Sequence, residues 1–191
     1  MTELRTSETH PLQIAELAAP NGGYVGVTFC PGKTQTAAWS GSWARSLDAD
    51  VAAIRHWGAD VVVTLVTEDE LVELRVERLG EVVAAHGLKW MHCPILDVQT
   101  PTEAWEATWA NEHATVHAAL DRGGRVLAHC RGGLGRAGMV GALILVERGM
   151  EPAKAITAIR RVRPGAIQTP EQAAFVAAHR GRWTASQRSA G

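Results

Sequence analysis

The chain alternates short apolar runs with stretches in which apolar residues recur every three or four positions. Four runs rich in β-branched or apolar residues read as strands: GYVGVTF at 23–29, DVVVTLV at 60–66, KWMHCPI at 89–95 and RVLAHC at 125–130. Helical spacing fills the intervals. In SLDADVAAIRHWG, Ser46 stands as an N-cap, Leu47, Val51 and Ile54 share a face, and Gly58 ends the helix. RVERLGEVVAAHG is interrupted by Gly80, but Val82, Val83 and the terminal Gly87 favour helix. The stretch 102–124 places Trp105, Trp109, Val116 and Leu120 on one side and stops at a glycine pair. Three further helices are expected near 136–149, 152–163 and 170–180, punctuated by Pro152, Pro164 and Pro170.

Strand and helix alternate and helices close the chain. This predicts an α/β fold, one domain with a mostly parallel central sheet flanked by helices. In such sheets ligands bind beyond the carboxyl ends of the strands. Residues 1–22 read as an N-terminal extension, 23–183 as the domain and 184–191 as a disordered tail. A length of 191 residues suits one core, and 46% hydrophobic with 20% charged residues is the composition of a soluble globular protein. The net charge of −1 gives no global attraction for nucleic acid or membrane, so any affinity for anions is local. Three widely spaced cysteines, Cys30, Cys93 and Cys130, fit a reducing compartment. With no apolar leader and no run long enough to span a bilayer, the expectation is a cytoplasmic protein.

The candidate chemistry lies in HCRGGLGRAG, residues 129–138, between the strand RVLAHC and the apolar helix that follows. Three glycines permit tight curvature and positive φ, so that successive N–H groups of Arg131, Gly132, Gly133, Leu134, Gly135 and Arg136 can face inward as an anion nest. The helix start adds its positive end, and the Arg136 guanidinium can grip two oxygens of a phosphate. The same field favours a Cys130 thiolate over the thiol, placed for in-line attack on phosphorus. Neither other cysteine has an arginine six residues on: position 36 is Thr and position 99 is Gln.

These residues resemble the H-C-x-x-G-x-x-R loop of the cysteine-based protein phosphatases, which is followed there by Ser or Thr. With PILDVQTP and GAIQTPEQ, the stretch is similar to the kinase-associated (cyclin-dependent kinase inhibitor 3) type of dual-specificity phosphatase, from about Cys30 to Val176. The resemblance implies a protein tyrosine phosphatase-like fold. It also implies hydrolysis of phosphotyrosine, phosphoserine or phosphothreonine proteins through a phosphocysteine, with phosphate, sulfate or vanadate able to occupy the loop. Asp97 matches the family's general acid. Its position after the strand KWMHCPI also fits an Asx-turn, and Asp121 reads as a helix-end residue on the other side of the sheet. Gln168 matches the glutamine that positions the hydrolytic water, with Gln172 as second choice. His129 matches the supporting histidine that helps hold the cysteine ionised. Ala137 departs from the pattern: it has no hydroxyl to donate to the sulfur when the phosphoenzyme breaks down.

Other features carry less. Trp39 and Trp43 with Lys33 and Arg45 read as packing tryptophans beside solvated charges, or as a substrate-facing loop. Arg131 is expected to direct charge to the loop's mouth and favour acidic substrates. Cys93 reads as a buried small hydrophobe, with a redox partnership to Cys130 as the alternative. The eight histidines read as scattered, so no metal and no cofactor is expected. Two rival readings of the loop are a phosphate-binding module without turnover and a persulfide sulfurtransferase; the latter would need neither Asp97 nor Gln168.

Overall fold

The structure is a computed structural model and describes residues 4–38, 41–181 and 183. Trp39 and the tail 184–191 lie outside the described residues. The elements in chain order are β1 (Leu4–Arg5), β2 (Ala15–Ala18), β3 (Tyr24–Phe29), β4 (Thr34–Ala38), β5 (Gly41–Ala44), α1 (Leu47–Trp57), β6 (Ala59–Thr64), α2 (Glu68–Glu73), α3 (Leu79–Ala85), β7 (Lys89–His92), α4 (Glu103–Asp121), β8 (Arg125–Cys130), α5 (Gly135–Glu147), α6 (Pro152–Val162) and α7 (Pro170–Ala178).

A five-stranded sheet of order β2-β3-β8-β6-β7 organises the fold. Its pairings are parallel except for the antiparallel edge strand β2. The period-2 alternation of the inner strands sorts the core into two layers. Val126 and Ala128 of β8, with Val61 and Val63 of β6, face α4, α5, α6 and α7. Leu127 and Val62 face α1, α2 and α3. Fully burying a Val- or Leu-sized side chain contributes roughly 1.5–3 kcal/mol, so the two layers together fix the strand register. Every residue of α5 is buried.

The expected helix signals hold where they were local. Ser46 Oγ accepts from Ala49 N, and Gly58 ends α1 in the left-handed region at φ 90°. Trp105, Trp109, Val116 and Leu120 are all buried on α4. The structure adds α2 and a second, three-stranded sheet of order β1-β5-β4. It also uses the N-terminal stretch as part of the architecture, because β2 pairs with β3 and β1 with β5. Among the described residues no helix is long and apolar enough to cross a membrane.

Candidate active site

Parallel strands deliver their carboxyl ends to one edge of the sheet. There β8 ends at Cys130, and the segments after β3, β6 and β7 bring Lys33, Glu70 and Asp97. Lys33, Asp97 and the loop residues Cys130, Arg131, Gly132, Leu134, Gly135 and Arg136 border a cavity of about 690 Å³, also lined by Arg5, His10, Trp43, Arg163, Gln168 and Gln172, with Glu70 behind Arg136.

The loop's curvature comes from Gly133, at φ 67°, whose α-carbon lies so close to β3 that a Cβ would collide with the backbone of Thr28 and Phe29. Its carbonyls are held by neighbouring donors. Arg131 O accepts from Cys30 N and Lys33 Nζ, Gly132 O and Gly133 O from the Arg163 guanidinium, and Leu134 O from Ile167 N and Gly138 N. With these carbonyls already bonded, the loop's N–H groups are what it has left to offer an anion, as the glycines allow. The N–H of Gly135 is taken by Gln168 Oε1 at 3.1 Å, a contact that a side chain at 135 would obstruct.

Arg136 is 1% exposed and anchored on three sides. Glu70 accepts from Nη1 at 2.6 Å and Nη2 at 2.8 Å, and Ile95 O accepts from Nη1 at 2.8 Å. Burial works against both charges, but their paired hydrogen bonds outweigh it. Glu70 is held below the ordinary carboxylate range and Arg136 above the ordinary guanidinium value. Nε of Arg136 has no partner among the described residues, and Nη2 also meets Asp97 Oδ1 at 2.9 Å. Asp97 is the exposed member, its side chain 59% accessible. Val98 behind it and Ile167 before Gln168 both adopt positive φ, at 57° and 56°. That conformation is strained for a β-branched residue, and the strain sits beside the two side chains expected to act on water and leaving group.

Several expectations are corrected. The His129 ring bonds to Thr64 Oγ1 on β6 at 2.7 Å, and Thr64 in turn accepts from Trp90 Nε1. Burial pushes His129 down to about 3, so it is neutral and lends shape but no positive charge to Cys130. Arg131 is not a free cation at the mouth: its Nη2 pairs with Glu73 at 2.5 Å. Lys33 and Arg45 are buried rather than solvated. Lys33 Nζ lies over the rings of Trp43 and Phe29, and Arg45 pairs with Asp50 at 2.7 Å. Burial brings Lys33 down to about 8. Cys93 is a buried thiol, raised by burial to about 11, while Cys30 is the cysteine whose backbone bonds the loop. Asp121, as expected, is remote, pairing with Arg148. Gln172 is fully buried and accepts from Gln168 N, so it positions Gln168.

Residues 41–150, more than half of the chain, match the family model described as Tc-R-P, polymorphic toxin system, DSP-PTPase phosphatase. The chain belongs to this DSP-PTPase family. It is similar to cyclin-dependent kinase inhibitor 3 from Mus musculus, 34% identical over 132 residues, covering 67% of this chain and 60% of that protein. The same protein from Homo sapiens is 32% identical over 131 residues, with the same coverage. The match thus spans less than two thirds of those relatives' length. Among solved structures, a kinase associated phosphatase whose catalytic-site cysteine is replaced by serine superposes with a TM-score of 0.75 at 27% identity, covering 90% of this chain and 99% of that one. Tk-PTP in its active form gives 0.57 at 29% identity, covering 83% and 92%. The fold of the family is therefore the α/β fold described above.

Proposed function

We propose that the protein is a cysteine-dependent phosphatase that hydrolyses phosphomonoesters on tyrosine, serine or threonine of a protein or peptide. One observation carries this reading: Cys130 heads a glycine-rich loop whose carbonyls from Arg131 to Leu134 are all hydrogen-bonded, in the same cavity as Arg136, whose Nε has no partner among the described residues, and Asp97. The loop N–H groups and the Arg136 Nε/Nη2 edge hold the phosphate oxygens, and they hold them more strongly as charge builds up in the transition state. Cys130 Sγ attacks phosphorus and the ester oxygen leaves with the proton of Asp97 in its acid form. Asp97, now a carboxylate, then takes a proton from the water that Gln168 positions, and that water's attack returns the thiolate and inorganic phosphate. The reading also rests on the catalytic-site cysteine named for the kinase associated phosphatase. Three free cysteines fit a cytoplasmic setting.

Ala137 is fully buried and offers no hydroxyl to the leaving sulfur. Loss of one aligned donor costs roughly ten- to a thousandfold, so breakdown of the phosphocysteine is the slow step. The test is rapid-mixing hydrolysis of p-nitrophenyl phosphate by reduced protein beside Cys130→Ser. A Cys130-dependent burst followed by slow turnover is expected, with Ala137→Ser speeding the steady state. No product and no burst, with vanadate still bound, would instead make the chain a phosphate-binding module.

A further inference from the structure

A second constellation lies outside the Cys130 cavity, where α4, the end of α5 and the chain after α7 meet. His113 and His117 form an H-x-x-x-H pair on one face of α4, so the histidines are not scattered. Glu147, the last residue of α5, is 2% exposed, and its Oε2 lies 2.7 Å from His117 Nε2 and 3.5 Å from His113 Nδ1. His179, which follows α7, places Nε2 3.1 Å from Glu147 Oε1. We propose that this group binds one divalent transition-metal ion of the zinc class, with His113 Nδ1, His117 Nε2 and Glu147 Oε2 as ligands, while His179 holds the other carboxylate oxygen.

The donor set is the first argument. Imidazole and carboxylate together suit zinc and its first-row neighbours, and two histidines with one carboxylate leave the fourth tetrahedral position to water. Spacing is the second. A tetrahedral ion with bonds of about 2.0–2.1 Å sets its ligand atoms roughly 3.3–3.5 Å apart, near the observed 3.5 Å between His113 Nδ1 and Glu147 Oε2. The His117 contact needs to lengthen by about 0.6 Å, within the reach of side-chain adjustment. Hydrogen bonding accounts for the cluster less completely: His113 Nδ1, aimed at the carboxylate, lies 3.5 Å from Glu147 Oε2, long for a hydrogen bond.

The surroundings also suit an ion. Trp109 Nε1 donates to Glu147 Oε1 at 2.9 Å, fixing the carboxylate from behind, and Trp183 stacks on His117 at 5.0 Å between centroids. A cavity of about 540 Å³, bordered by His113, Glu147 and His179, gives an entry path. An ion here would tie α4 to the end of α5, the helix that starts at the catalytic loop. Its role is therefore structural.

The test uses full-length protein stripped with chelator, titrated with Zn2+ by calorimetry and melted with and without the ion. One Zn2+ per chain is expected, with Tm raised about 5–10 °C at a hundredfold excess over Kd. His113→Ala, which leaves the His117–Glu147 contact in place, is expected to weaken binding at least tenfold while p-nitrophenyl phosphate hydrolysis is unchanged. Cys130→Ser is expected to bind as the wild type does, and Co2+ to give tetrahedral bands without a thiolate charge-transfer band. Absence of binding would overturn the proposal. So would binding that survives His113→Ala, or that is lost with Cys130.

Discussion

Asp97 Oδ1 and an incoming phosphate oxygen compete for the same edge of Arg136, because Nη2 already meets Asp97 at 2.9 Å. Removing the carboxylate therefore has two effects of opposite sign. Asp97→Ala is expected to slow hydrolysis of alkyl and other poor-leaving-group esters by about 10²–10⁴-fold, since the leaving oxygen departs without its proton. The same variant is expected to bind vanadate about tenfold more tightly, roughly the worth of one charge-assisted hydrogen bond. A leaving-group series with vanadate inhibition measures both. Equal slowing for every leaving group, with vanadate affinity unchanged, would remove Asp97 from the mechanism. Lys33 gives a pH signature in the same cavity. Burial holds it at about 8, so it is an ammonium below that pH and neutral above it. Its positive charge, which attracts the phosphate, is lost as pH rises, and kcat/KM is expected to fall through about pH 8. In Lys33→Met that limb is expected to vanish from the profile; a limb that persists would assign it to another group.

Helix α2 shows how one short element serves both fold and site. Thr67 Oγ1 accepts from Glu70 N while Glu70 Oε2 accepts from Thr67 N, closing a capping box. The same carboxylate forks onto Arg136 from 66 positions away. Glu70→Gln keeps a capping acceptor but breaks the charge fork, letting the guanidinium drift. A misplacement of about 1 Å can cost 10²-fold, so kcat/KM is expected to fall by about that factor, with Tm lowered as well because the buried guanidinium loses its counter-charge. An unchanged kcat/KM would show that Ile95 O, Leu65 O and Asp97 suffice to aim Arg136. This element also marks what the sequence made legible. β3, β6, β7 and β8 announce themselves as apolar runs because both faces are covered, and the loop 129–138 carries its chemistry in adjacent residues. β1, β2, β4 and β5 are short strands of two to five residues, three of them at the rim of a sheet, with too little apolar periodicity to declare them. α2 does carry a signal, the T-x-x-E spacing of Thr67 and Glu70. Glu70 and Arg163 nevertheless reach the site only through tertiary contact, which leaves no mark in a local pattern. The His113–His117 spacing was readable, but its meaning depends on Glu147, thirty residues on.

At the scale of the molecule, the wall of the cavity facing the loop is built by the N-terminal stretch, which contributes Arg5, Thr9, His10, Pro11 and Gln13. One buried ion pair holds it there. Arg45 gives Nε and Nη2 to Asp50 at 2.7 and 2.8 Å and Nη1 to the carbonyls of Thr6 and His10, while Asp50 also accepts from Ser7 Oγ and Gly32 N. The pair thereby links residues 6–10, the turn after β3 and the start of α1. Breaking a buried pair leaves the partner's charge uncompensated, at a cost of about 3–5 kcal/mol. Asp50→Asn is thus expected to lower Tm by roughly 10 °C and to loosen the N-terminal wall. A phosphopeptide spans the wall and the loop, whereas p-nitrophenyl phosphate reaches little beyond the loop. Below the melting transition, KM for the peptide is therefore expected to rise several-fold while both constants for the small ester stay within about twofold, given that an unpaired rim contact contributes roughly 1 kcal/mol. Deleting residues 1–13 is expected to reproduce the peptide effect. If peptide and small ester lose KM together in both variants, the N-terminal stretch supports the loop itself and the substrate surface lies on another side of the cavity.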